Sequence, residues 1–157
     1  TQGVSSAASD VYKRQQYNLP PELMRIEITE TAYTGESEAV DKLTADLYTR
    51  GFSTYMDDFG TGQSTLAMLK NVNVDVIKLD RTFVSVNGDH GRSTQIISSM
   101  LEMAHSLHLP VVVEGVETNE QANMLRQMGA RDAQGFLYYR PMPAKDFEAL
   151  LDGGNNN

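Results

Sequence analysis

Five short apolar runs constrain this chain more than any other feature. Each closes on acidic, basic or amide side chains, and each is followed by a helical stretch or its start. They are Leu23–Thr29, Ser53–Asp57, Val74–Leu79, Val111–Val113 and the weaker Ala130–Phe136. Strands alternating with helices imply a parallel sheet with right-handed crossovers. Two architectures satisfy that order, a doubly wound sheet and a (β/α) barrel. The polar residues at the strand ends favour the barrel: Glu27 and Glu30, Asp57 and Asp58, Lys78 and Asp80, Glu114 and Glu117, then Gln134. A barrel presents all its strand C-termini to one mouth. A doubly wound sheet gathers residues at a single switch point, and no glycine-rich dinucleotide fingerprint opens the first unit. The expectation is an α/β fold, an incomplete (β/α)8 TIM-like barrel holding about the last five βα units. A full barrel takes eight strands and roughly 200 residues or more, so about three strands are expected to be missing from the front.

The helices follow from spacing. Glu36–Arg50 carries Val40, Leu43 and Leu47 as its expected buried stripe, with Gly51 as the C′ residue. A short helix through Leu66 and Leu69 is expected after Gly60-Thr61-Gly62. Arg92–His108 sets Ile96, Ile97, Met100, Leu101, Ala104 and Leu107 on one face, and Pro110 ends it. Thr118 with Gln121 forms a capping box for a helix whose face is Ala122, Leu125 and Met128. After Pro141 and Pro143, Asp146–Leu151 is the last helix.

The 157 residues suffice for one domain with a core. Residues 1–16 show no period of 2 or 3.6 and read as a foreign or disordered leader; residues 17–152 form the domain and 153–157 a polar tail. No cysteine occurs, which excludes disulfides and thiolate metal sites and fits a cytoplasmic protein, although a parent protein could be membrane-anchored. A net charge of −8 argues against a nucleic-acid polymer as partner. It is compatible with a small phosphate ligand, because bound cations invert the local field.

Adjacent Asp57 and Asp58 repel each other, and a divalent cation between them turns that cost into binding energy. Glu27, Asp57, Asp58, Glu114 and Asp80 make an oxygen-only set. Hard oxygen ligands suit Mg²⁺ or Mn²⁺ rather than Zn²⁺. Two such ions about 4 Å apart would lower the pKa of a shared water and clamp an in-line phosphoryl displacement. Lys78 could hold that water or neutralise a phosphate oxygen; an ordinary salt bridge to Asp80 or Asp58 is the plainer alternative.

The motifs together resemble those of the EAL-domain family, the cyclic di-GMP phosphodiesterases. Asp57-Asp58-Phe59-Gly60-Thr61-Gly62, with Ser64 and Leu66, is similar to the family's signature loop. Glu27-Ile28-Thr29-Glu30 is similar to its Glu-x-Thr-Glu strand, and Lys78-Leu79-Asp80 to its Lys-x-Asp strand. Glu114-Gly115-Val116-Glu117-Thr118 and Gln134-Gly135-Phe136 with Pro141 and Pro143 complete the set. Five ordered motifs are far more specific than one.

The resemblance implies hydrolysis of cyclic di-GMP to linear pGpG with two Mg²⁺ or Mn²⁺ ions. It implies Glu27, Asp57, Asp58 and Glu114 as metal ligands, with Glu114 also a candidate general base. Lys78 would sit near the attacking water with Asp80 as its partner. Glu30 would hold the signature loop, linking dimerisation to the metal site, and Glu117 and Gln134 would line the site. A homodimer and an upstream sensory or GGDEF domain are the partners it implies. Gln63 stands where the family commonly has an aromatic. The namesake Glu-Ala-Leu, an Asn ligand and a guanine-region Arg are expected upstream of Glu27 and are not found there. The chain is therefore expected to be a C-terminal part of the domain, with weak or no turnover alone and a tendency to associate. The alternatives are a degenerate module that binds cyclic di-GMP or a protein without catalysis, and an enolase-like Mg²⁺ barrel using Lys78 as a carbon-acid base.

Other features read as ordinary structure. His105 and His108 sit on an outer helix away from the strand ends, and His90 reads as a solvated loop residue. The methionines of 100–128 read as core, and Tyr138-Tyr139 as packing near the barrel's end.

Overall fold

The computed structural model describes Arg14 and residues 16–35, 37–61, 73–84 and 90–154. The expected helix at Leu66 and Leu69, Gln63, most of the leader and residues 155–157 lie outside the described residues. Five strands form one parallel sheet in sequential order: β1 (Arg25–Thr29), β2 (Ser53–Phe59), β3 (Val76–Leu79), β4 (Val111–Val113) and β5 (Asp132–Ala133). The described helices are α1 (Glu30–Gly35), α2 (Ser37–Thr49), α3 (His90–Ser106), α4 (Asn119–Gln127) and α5 (Ala144–Gly154). Neighbours in sequence are neighbours in the sheet, so there is no switch point. That is the stave order of a barrel, as the strand-end pattern predicts.

The core fills the space between sheet and helices. Met56 and Ile77, paired across β2 and β3, are buried with Val113, Ile97 and Leu125. A deeply buried centre on both sheet faces explains why the strands read as short apolar runs.

Several element readings need correction. β1 starts at Arg25, because Pro21–Leu23 forms a 3₁₀ turn with Pro21 at its first position. Helix α1 was not foreseen: six residues are too few to show a period, and its anchor is Tyr33, buried and hydrogen-bonded to Asp41. On α2, Val40 and Thr44 are buried while Leu43 is 49% exposed, so the stripe is rotated. On α3, Ile97, Leu101 and Ala104 are buried, whereas Ile96 is exposed, as is Leu107, which lies just past the helix. His90 is the first residue of α3, not a loop residue. β5 keeps only two residues, because the chain turns after Gln134 and Tyr138 donates its N–H to the Gly135 carbonyl. The Thr118 capping box forms as read, with Gln121 N–H on the Thr118 hydroxyl.

Candidate functional site

The site lies where β1 to β4 end, and its centre is a lysine. Lys78 points inward from β3 and is buried. Its Nζ lies 2.7 Å from Glu27 Oε1 on β1, 2.7 Å from Asp57 Oδ1 on β2 and 2.8 Å from Glu114 Oε1 just past β4. Parallel pairing creates this convergence. Thr29 pairs with Asp57, Lys78 pairs with Val112, and Glu114 N–H donates to the Leu79 carbonyl. The plainer sequence reading placed the ion pair on Asp80 or Asp58; the partners are instead the three acids of the neighbouring strands.

Adjacent residues on a regular strand face opposite sides, so Asp57 and Asp58 should diverge. They do not, because the strand is irregular there. Met56 pairs with Ile77 and Phe59 with Leu79, so β2 spends one extra residue against β3. Asp58 sits in that bulge with φ of 56°, a left-handed conformation that aspartate tolerates better than most residues. As a result Asp57, Asp58 and Glu114 each place a carboxylate oxygen within 4.8 Å of the others. Among the described residues this is the one such cluster.

Charge at the site is unbalanced. One ammonium faces three carboxylates, with Asp58 close by. Burial alone would lower the Lys78 pKa, but hydrogen bonds to Asp57, Glu114 and Glu27 outweigh it and hold the ammonium well above its ordinary range. Burial raises the Glu114 carboxyl, opposed by Lys78. Burial, then repulsion from Asp57 and Asp80, raises Asp58. Excess negative charge on oxygen donors alone fits a hard divalent cation such as Mg²⁺ or Mn²⁺, and Asp57, Asp58 and Glu114 are the residues that could hold one.

The remaining expected residues surround this centre. Glu30, 1% exposed, accepts the Gly60 N–H at 2.8 Å. Gly60 has φ of 94°, and a Cβ there would meet the Phe83 ring at 2.5 Å, so the loop after Phe59 is fitted tightly. Asp80 does not pair with Lys78: its Oδ1 accepts the Thr82 N–H at 2.8 Å and caps the 3₁₀ turn Arg81–Phe83. Burial raises its pKa, yet the hydrogen bonds from Thr82 and Arg81 prevail and keep it below the usual carboxylate range. Gln134 Nε2 donates to Glu114 Oε1 at 2.5 Å. Glu117 is exposed and lines a cleft of about 560 Å³ with Glu114, Gln134, Arg81 and Tyr139. Sequence reasoning passed over Arg81 and Arg140 at this cleft; Arg140 stacks 4.3 Å from the Phe136 ring. Their position beside the strand-end motifs was the available signal. His105, near the end of α3, lines a separate cleft beside Val111 and Asp132, at the opposite strand ends, with His108, which lies past the helix rather than on it. A Glu-Ala-Leu tripeptide does occur, Glu148-Ala149-Leu150, but it is exposed on α5 after the last strand, and Glu148 is not in the carboxylate cluster.

Known proteins share the sequence pattern and the fold. A model of the EAL domain matches residues 4–141. The cyclic di-GMP phosphodiesterase RocR of Pseudomonas aeruginosa is 40% identical over 138 residues, which are 88% of this chain and 35% of RocR. The crystal structure of the EAL domain of Mycobacterium smegmatis DcpA superposes with a TM-score of 0.82 at 33% identity, covering 98% of this chain and 70% of that one. A manganese/cy-diGMP complex of Klebsiella pneumoniae BlrP1 superposes with a TM-score of 0.73 at 31% identity, covering 85% of this chain and 35% of that one. The chain thus spans about a third of RocR's length. With a parallel sheet in stave order and acids gathered at its C-terminal ends, the chain belongs to the EAL-domain family.

Proposed function

We propose that this chain is the C-terminal part of a domain that hydrolyses cyclic di-GMP to linear pGpG. The observation that carries the reading is the convergence of Asp57, Asp58 and Glu114 within 4.8 Å at the strand ends. Glu27, Asp57, Asp58 and Glu114 are the proposed ligands of two Mg²⁺ or Mn²⁺ ions. Such ions, when bound, supply a water of lowered pKa and charge neutralisation at a phosphoryl group. The protein's own residues supply the rest. Asp57 and Asp58 are aimed together by the bulge. Glu114 is oriented by Gln134, and its raised pKa suits a proton acceptor. Lys78, held here by Glu27, Asp57 and Glu114, would offer an ammonium N–H to water or a phosphate oxygen once one of those acids turns to a metal ion. Asp80 fixes the turn that follows β3, a positioning part. Glu30 holds the Gly60 loop, and Glu117 and Gln134 line the cleft where the nucleotide would lie.

The related proteins support the substrate: RocR is named a cyclic di-GMP phosphodiesterase, and BlrP1 was solved with manganese and cy-diGMP. The parent protein is proposed to be a cytoplasmic-facing homodimer with a sensory or GGDEF domain upstream. No described helix is long and apolar enough to cross a membrane. The 157-residue chain alone is expected to turn over weakly or not at all. The test is Asp57→Asn in the complete domain, assayed for pGpG release in Mg²⁺. Loss of release by about 10² or more supports the assignment; an unchanged rate overturns it. Binding of cyclic di-GMP without release by the unaltered domain would favour the non-catalytic module.

A further inference from the structure

The Lys78 ammonium is fully committed. An ammonium has three N–H donors, and Glu27, Asp57 and Glu114 lie at 2.7, 2.7 and 2.8 Å from it. In that arrangement no donor is left for a water or a phosphate. Two of the same acids, Asp57 and Glu114, also belong to the oxygen cluster that fits a divalent cation. The same two carboxylates therefore face two positive charges.

We propose that Lys78 is the resident counter-cation of the carboxylate cluster and exchanges with a divalent ion for Asp57 and Glu114. Loading the ion and freeing a Lys78 N–H donor are then one event. The arrangement compensates the acids in part without metal, so the fold does not carry all of its like charges bare at its centre. It also weakens metal binding, because part of each carboxylate's charge is already spent. The lysine becomes available to water or phosphate only once metal has drawn an acid away. This rests on the reading above that Asp57 and Glu114 hold a divalent cation.

The test is calorimetric titration of Mn²⁺ into the metal-stripped full chain, with Lys78→Met and Lys78→Arg beside the unaltered protein. Thermal melts are recorded in chelator and in Mn²⁺. Lys78→Met is expected to bind Mn²⁺ about tenfold more tightly or better, the scale of one nearby opposite charge. Lys78→Arg, which keeps the charge, is expected to stay near the unaltered affinity. In chelator Lys78→Met should melt lower, and Mn²⁺ should raise its midpoint by more than it raises the unaltered protein's. If the unaltered chain binds Mn²⁺ and Lys78→Met binds no tighter, the exchange is overturned while the metal site stands. If no variant binds Mn²⁺, the exchange and the metal assignment fall together. A Lys78→Met chain that unfolds and is not restored by Mn²⁺ also overturns it, because the ion should take the lysine's place.

Discussion

The Glu30 carboxylate accepts the Gly60 backbone N–H at 2.8 Å, joining the end of β1 to the residue that follows the Asp57–Asp58 bulge. Glu30 is almost completely buried and Gly60 partly so. Replacing Glu30 by alanine strands a part-buried donor, which costs up to about 1–3 kcal/mol. Glu30→Ala should lower the urea midpoint accordingly. It should also weaken Mn²⁺ binding, since the bulge loses its anchor. A full loss of stability with Mn²⁺ affinity intact would show that Glu30 supports the fold and not the site.

The cap of α4 makes a simpler prediction. Thr118 accepts the Gln121 N–H, and the Gln121 side chain accepts the Thr118 and Glu117 N–H groups at 3.0 and 2.7 Å. Its amide also donates to the Val84 carbonyl, tying the cap to the end of the 3₁₀ turn. Thr118→Ala should cost about 1 kcal/mol, read as a shift in denaturant midpoint. Gln121→Ala should cost more, because it releases three backbone groups at once.

These two sites mark what the sequence reveals and what it conceals. The capping box was legible because its whole geometry is local: residues three apart satisfy each other. The strand-end acids were legible because parallel connectivity alone sends strand C-termini to one side. What stayed hidden depended on contacts between distant segments. The bulge at Asp57–Asp58 is fixed by how β2 registers against β3, and nothing in the order of its residues announces the extra one. The partners of Lys78 come from three other segments, so sequence proximity pointed wrongly to Asp80 and Asp58. The exposure of Leu43 and Ile96 shows the same limit: period assigns a face, but only packing decides which edge of it is covered.

Protonation of the cluster yields a pH prediction whose sign follows from the shifts. Burial raises both Asp58 and Glu114 above their ordinary values. Metal binding needs both carboxylates ionised. Mn²⁺ affinity should therefore begin to fall, on acidification, at a higher pH than it would for unshifted carboxylates. Without metal the same two groups act oppositely on stability. Their raised pKa values favour the fold at low pH, and that contribution is lost as pH rises through the shifted values. Asp80, held below the usual range, contributes stability at higher pH that is lost as pH falls through its lowered value. Calorimetric Mn²⁺ titrations across the acid range, paired with melts in chelator, separate the two effects. An affinity that begins to decline at no higher pH than for unshifted carboxylates would contradict the Asp58 and Glu114 shifts.

Asp58 offers the sharpest separation of stability from function. Its φ of 56° lies in the left-handed region, where a side chain costs about 1–2 kcal/mol and a short polar one somewhat less. Asp58→Gly removes that strain, and it also removes repulsion against Asp57 and Asp80. The glycine variant loses some backbone entropy in return. Asp58→Asn keeps the local conformation and removes only the charge, so its metal-free melt should match or exceed the unaltered protein's. Both variants should bind Mn²⁺ about tenfold more weakly or worse, because the cluster loses one of three converging carboxylates. Asp58→Val should lose both stability and metal: a β-branched side chain at this φ should cost about 1–3 kcal/mol. If Asp58→Asn bound Mn²⁺ as tightly as the unaltered chain, the bulge would be a turn device alone, and Asp57 with Glu114 would have to carry the cation without it.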